Sequence, residues 1–155
     1  MLQPVAHSLL QCREEVEAHV PSLTPERLFA RPAGAASIGY HVRHAIGSLD
    51  RLFTYARGEG LSAAQLATLK SEGESDSDQH AAAKLVSAFS GAVERALAQL
   101  RATDERNLLD ARTVGRAQLP STVIGLLFHA AEHTQRHIGQ MVTTVKVTAA
   151  TEETR

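Results

Sequence analysis

The chain has 155 residues, a length that suits one domain. Apolar residues make up 43% and charged residues 21%, an ordinary globular balance that excludes disordered, collagen-like and coiled-coil classes. Sixteen Lys and Arg against seventeen Asp and Glu leave a net charge of −1, so no basic nucleic-acid surface is implied, and the single cysteine, Cys12, excludes an internal disulfide framework and a cysteine-rich zinc module.

A lone cysteine fits a reducing compartment. The first twenty residues carry charges where the apolar core of a signal peptide would run, and no apolar run approaches the ~20 residues that span a bilayer. A cytoplasmic protein with no membrane or nucleic-acid partner is expected. Eight histidines outnumber the four Phe and two Tyr, and there is no Trp; imidazole is the commonest ring in the chain, and the function is sought there.

Ala, Leu, Arg, Glu and Gln dominate, all good helix formers, and alternating β-branched runs are scarce. The first helix is predicted from about Leu2 to Val20, with Leu2, Val5, Leu9, Cys12 and Val16 at helical spacing. Pro21 ends it. Thr24-Pro25-Glu26 places a capping residue before a proline, the start of a short helical turn, and Arg31 to Gly34 reads as loop. The second long helix is predicted from Ile38 to Arg57, capped by Ser37 and closed by Gly58 and Gly60. Ile38, Val42, Ala45, Leu49, Leu52, Phe53 and Ala56 form its apolar face.

A connection of about twenty residues follows, Glu59 to Asp78. Ser62 to Lys70 reads as a short helix, and the polar run from Ser71 to Asp78 as a solvated loop. Antiparallel neighbours need only a few linking residues, so a link this long points to a crossover between parallel helices. The third long helix is predicted over Gln79–Arg101, with Leu85, Ala88, Phe89, Ala92, Val93, Ala96 and Leu100 inward. The fourth is predicted over Ser121–Val147, introduced by Pro120 and capped by Ser121 or Thr122. The expected organisation is a single all-α four-helix bundle over residues 1–148, with a polar, frayed tail over 149–155.

On the fourth helix His129, His133 and His137 stand four residues apart, so each neighbouring pair shares a face, one turn apart. On a wheel of 100° per residue, Ile124, Leu127, Ala131, Ile138, Val142 and Val145 form one apolar side. Val123, Leu126, Ala130, His133, His137, Met141 and Thr144 form another. One side suits the bundle interior; the other suits another helix or a second subunit, from which a homodimer is expected. His129 drifts toward Arg136, so His133 with His137 is the better pair. On the second helix His41 and His44 border the apolar face, with Tyr40, Ser48 and Tyr55 beside them. His41 lies nearer the centre of that face, and the wheel alone leaves open which of the two completes a site. Neighbouring helices lie ~8–10 Å apart, so a third imidazole is within reach. His7, His19 and His80 read as surface residues. Three neutral imidazoles suit Zn²⁺, Ni²⁺ or Fe²⁺, and three protein ligands leave a position open, as in catalytic sites.

Ser37-Ile38-Gly39-Tyr40-His41-Val42-Arg43-His44, followed by Leu49-Asp50-Arg51-Leu52, resembles the second helix of DinB/YfiT-like proteins. His133-Thr134-Gln135-Arg136-His137-Ile138-Gly139-Gln140 resembles their last-helix motif. Helix order, the long middle link and total length agree as well, over nearly the whole chain. The resemblance implies an up-down-down-up bundle with a long crossover between helices 2 and 3, a homodimer, and a divalent metal held by His44, His133 and His137; His41 and His129 stay as additional or substitute ligands on the reading of the helix faces alone. The family often has a His directly before the second ligand of the last motif and an Arg directly after it; here those places hold Arg136 and Ile138, so the substrate-facing residues differ.

The resemblance also implies metal-dependent chemistry on a small molecule: S-transfer with a low-molecular-weight thiol of the bacillithiol or mycothiol type, or hydrolysis. Hydrolysis needs a general base near the attacking water, and the wheels offer no convincing carboxylate: Glu132 is off the ligand face and Asp50 is on the polar side. That favours thiol transfer, or a base supplied by the substrate. Tyr40, Ser48, Arg51 and Tyr55 are candidates for orienting substrate. The alternative is a non-catalytic, stress-associated bundle in which a metal pins two helices together.

Overall fold

In the computed structural model, which describes residues 2–153 and the side chains of residues 2–150, four of the six α-helices begin at a Ser or Thr whose hydroxyl accepts from a backbone N–H. α1 spans Gln3–His19 and a short α2 spans Pro25–Phe29, with Thr24 accepting from the Arg27 backbone N–H. α3 spans Ile38–Ala56, capped by the Ser37 hydroxyl, which accepts from the Tyr40 N–H at 3.1 Å. Gly58 follows α3 at φ +81, a left-handed conformation that glycine adopts without steric cost. α4 spans Ala63–Ser71 and carries a full capping box between Ser62 and Gln65. α5 spans Ala81–Ala102, beginning two residues later than its sequence suggests.

The predicted apolar face of α3 is buried at every position. On α5, Leu85, Phe89, Ala92, Val93, Ala96 and Leu100 are buried, while Ala88 turns out to solvent. Leu9, Val16, Leu49, Phe89, Leu126, Leu127 and Met141 are among the fully buried core side chains of the four long helices.

Two features depart from the sequence reading. First, β1 (Ala111–Val114) and β2 (Leu119–Thr122) form an antiparallel hairpin ahead of the last helix, pairing Ala111 with Thr122 and Val114 with Leu119. Pro120 and Ser121 therefore lie in a strand; Thr122 accepts from the Gly125 N–H and is the capping residue. Second, α6 spans Val123–Glu153, 31 residues, and runs through most of the segment expected as a frayed tail. Thr148 is buried and its hydroxyl donates to the Thr144 carbonyl. The rest of that tail, Thr154 and Arg155, lies outside the described residues.

Cross-helix contacts fix the directions. Arg13 with Glu94 and Glu17 with Ser90 run α1 antiparallel to α5. His41 with His137 and His44 with His133 run α3 antiparallel to α6. Ile46 lies beside Leu85, and farther along Phe53 lies beside Ala96 and Gln99, so α3 and α5 are parallel. The order is up-down-down-up, and the segment from Arg57 to His80 makes the crossover that two parallel neighbours require. α6 packs on α3 along one side and on α1 along the other. Leu126, Leu127, Ala130, Ala131, Ile138 and Met141 are buried within the chain, while Ile124 stays exposed and Val142 and Val145 are partly buried. No helix among the described residues is long and apolar enough to cross a membrane.

Candidate metal centre

Antiparallel packing of α3 on α6 sets the register of the histidines. Ring nitrogens from His44, His133 and His137, one from each, lie within 4.8 Å of one another, and all three side chains are partly buried. His44 Nε2 stands 2.9 Å from His133 Nε2. The His133 and His137 ring centroids are 4.6 Å apart, and those of His44 and His137 4.4 Å.

The donor set fits a cation. His44 Nδ1 lies 2.7 Å from Glu72 Oε2, and a carboxylate there accepts a hydrogen bond from Nδ1–H. A neutral His44 then has a bare lone pair on Nε2, pointing at His133. Two bare nitrogens repel at 2.9 Å, so a proton or a metal ion must lie between them. Two nitrogens sharing a tetrahedral ion at about 2.0–2.1 Å would stand about 3.3 Å apart, a few tenths of an ångström from the observed spacing. Electrostatics favour the neutral, ligating form. Burial, then the neighbouring His44, His133, His41 and Arg136, push His137 down to about 4. Burial and the same kind of crowding, led by His44 and His129, lower His133. At neutral pH both keep their lone pairs.

His41 has a different place. It is buried, and its Nδ1 stands 3.1 Å from His137 Nδ1, one nitrogen donating to the other. Burial and then His44 lower its pKa. The central position that the wheel gave His41 buries it behind His137, whereas His44, nearer the edge of the face, reaches the cluster. His129 is half-exposed, with its ring centroid 5.5 Å from His133, and pairs with Glu132.

The four candidates for orienting substrate separate as well. Tyr40 stacks on His44, with centroids 5.4 Å apart and planes 14° off parallel. Tyr55 is partly buried farther along α3. Ser48 is buried and donates to the Ala45 carbonyl, and Arg51 is buried against Glu72 at 2.7 Å. Neither Ser48 nor Arg51 stands free to meet a substrate.

Glu72 is the residue that sequence reasoning missed. It belongs to the acidic run expected to be solvated, yet only 4% of it is exposed. It bridges His44 and Arg51, one carboxylate oxygen to each. Nothing in the run marks Glu72 apart from Glu74; only the position that α4 gives it, as the residue directly after that helix, turns it inward.

A four-helix bundle with a long crossover and three imidazoles gathered from two antiparallel helices defines a class of helical protein with a fitting metal-binding site. The sequence profile of the DinB superfamily matches residues 8–141, and the chain belongs to that superfamily. Two solved structures share the fold. A conserved protein from Enterococcus faecalis superposes with a TM-score of 0.71 at 19% identity, over 94% of this chain and 95% of its own. A DinB-like protein from Bacillus cereus superposes with a TM-score of 0.70 at 13% identity, over 96% and 93%. Among curated proteins, none matches the chain.

Proposed function

We propose that this protein is a metal-dependent enzyme acting on small molecules: His44, His133 and His137 hold one divalent ion with a position left open, and the reaction is transfer of a low-molecular-weight thiol to an electrophile. The observation that carries the reading is the gathering of three imidazole nitrogens within 4.8 Å on a face that still meets solvent, with 18% of the His44 side chain exposed. A site built only to pin helices together would be sealed on every side.

A divalent ion held by His44, His133 and His137 would supply Lewis acidity, which favours the thiolate form of a thiol. The sulfur then bonds to the electrophilic carbon, the leaving group departs with its electron pair, and the thiol proton passes to solvent. The carboxylates nearest the histidines favour this over hydrolysis. Glu72 is engaged by His44 and Arg51, and Glu132 by Arg136 and His129. Neither is left to deprotonate water. Tyr40, stacked on His44, forms a flat wall at the edge of the site, suited to an apolar or aromatic electrophile. The metal is Zn²⁺, Ni²⁺ or Fe²⁺ by donor chemistry. A homodimer and a cytoplasmic location stay in the proposal on the family resemblance and the sequence.

The experiment incubates metal-loaded protein with an electrophilic dye and bacillithiol, mycothiol or glutathione, and in parallel with ester and amide substrates alone. Conjugate formation with a thiol, lost in His133→Ala, is expected. Ester or amide cleavage without thiol would replace transfer by hydrolysis; no turnover in either arm would favour the non-catalytic bundle.

A further inference from the structure

The crossover is held in an unusual way. From Arg57 to His80 the sole buried residue is Glu72. α4 keeps no buried residue, and Leu66 and Leu69 on it are each about two-fifths exposed. A segment of this length ordinarily docks by burying apolar side chains. This one docks through polar ties. Gln65 Nε2 donates to Asp50 at 2.7 Å and to Thr54 at 2.8 Å, Arg43 donates to the Glu74 carbonyl and to Asp76, and Glu72 reaches His44 and Arg51. The Gln65 and Arg43 ties lie at partly or fully exposed positions, where such contacts contribute little. The Glu72 bridge is desolvated, with 3% of the Glu72 side chain and 10% of the Arg51 side chain exposed.

The bridge also requires a specific gap in α3. A Cβ added at Gly47 would stand 2.3 Å from Glu72 Oε1 and 2.6 Å from Arg51 Nη1, so the carboxylate and the guanidinium meet in the space where that residue has no side chain. Gly47, Arg51 and Glu72 form one fitted unit behind His44.

Resting on the metal-centre reading above, we infer that Glu72 is the positioning residue of the centre, fixing His44 with its proton on Nδ1 and its Nε2 lone pair toward His133 and His137, and that metal binding and docking of the crossover are coupled through it. Glu72 is not a ligand. Its carboxylate orients the ring and raises the basicity of the ligating nitrogen, and loss of such an outer partner ordinarily costs about 10–100-fold in metal affinity. Arg51 holds the carboxylate so that both of its oxygens are engaged. Coupling of two binding events is reciprocal: a metal that holds His44 in this orientation strengthens the Glu72 contact, and a docked crossover strengthens the site.

The test titrates Co²⁺ into untagged wild-type protein, Glu72→Gln and Glu72→Asp, reading affinity and the visible spectrum, and follows amide hydrogen exchange over residues 57–80 with and without Co²⁺. Wild type is expected to bind Co²⁺ and to gain protection across the crossover. Glu72→Gln, which keeps shape but loses charge, is expected to bind about 10–100-fold more weakly, with a shifted spectrum and little gain in protection; Glu72→Asp, which keeps charge, is expected to recover part of the loss. If Glu72→Gln binds with wild-type affinity and spectrum, the positioning role is wrong while the metal centre stands. If wild type itself binds no Co²⁺, the metal-centre reading fails first.

Discussion

A lone pair is the resource this site protects. His137 is pushed down to about 4 by burial and by the imidazoles around it, and His133 and His41 are lowered by the same causes. In unfolded chain these rings take up protons near pH 6.5. Between that value and about 4, the unfolded state of the metal-free protein therefore binds more protons than the folded state, and stability rises with pH across the window. With chelator present, the denaturant midpoint is expected to be lower at pH 5 than at pH 7.5. The neighbouring Glu132 has its pKa lowered, chiefly by Arg136, and a lowered carboxylate also favours the folded state as pH rises, so it acts in the same direction. An unchanged midpoint would show that the rings are not desolvated as described. Cys12 makes the contrasting case: burial, then Glu15, raise its thiol to about 12, so it stays protonated and takes no part in this chemistry.

At the scale of elements, the long helices were legible because their apolar spacing is regular, and α3 has an explicit cap as well. Ser37 predicted the start of α3 and occupies it. Ser37→Ala is expected to lower unfolding free energy by about 1 kcal/mol, read by denaturant titration; no loss would mean that the Tyr40 N–H finds another acceptor. The hairpin was not legible. Its strands have four residues each, none of them buried, and contain Pro120, so no apolar alternation announces them. Gly115 and Gln118, both at positive φ, make the turn instead. The end of α6 was misread because threonine counts as polar. In the helix Thr144 and Thr148 donate their hydroxyls to carbonyls one turn back, and both residues are buried. Glu72 was hidden for a related reason: a carboxylate in an acidic run looks solvated until a partner from another element is known, and pairing across 28 residues of sequence leaves no local trace.

For the whole molecule, the topology puts the site where two antiparallel helices face each other and lays the crossover against one of the histidines. The wheel measured how central each ring is on its own helix. It could not report depth after packing, which is why His41 ended behind the cluster and His44 within it. The central claim is that three imidazoles from α3 and α6 share one ion. Elemental analysis of untagged protein, repeated on single alanine variants, tests it most directly. One divalent ion per chain is expected in wild type and in His41→Ala, and almost none in His44→Ala, His133→Ala or His137→Ala. Metal that is lost from His41→Ala and retained by His44→Ala would contradict the account.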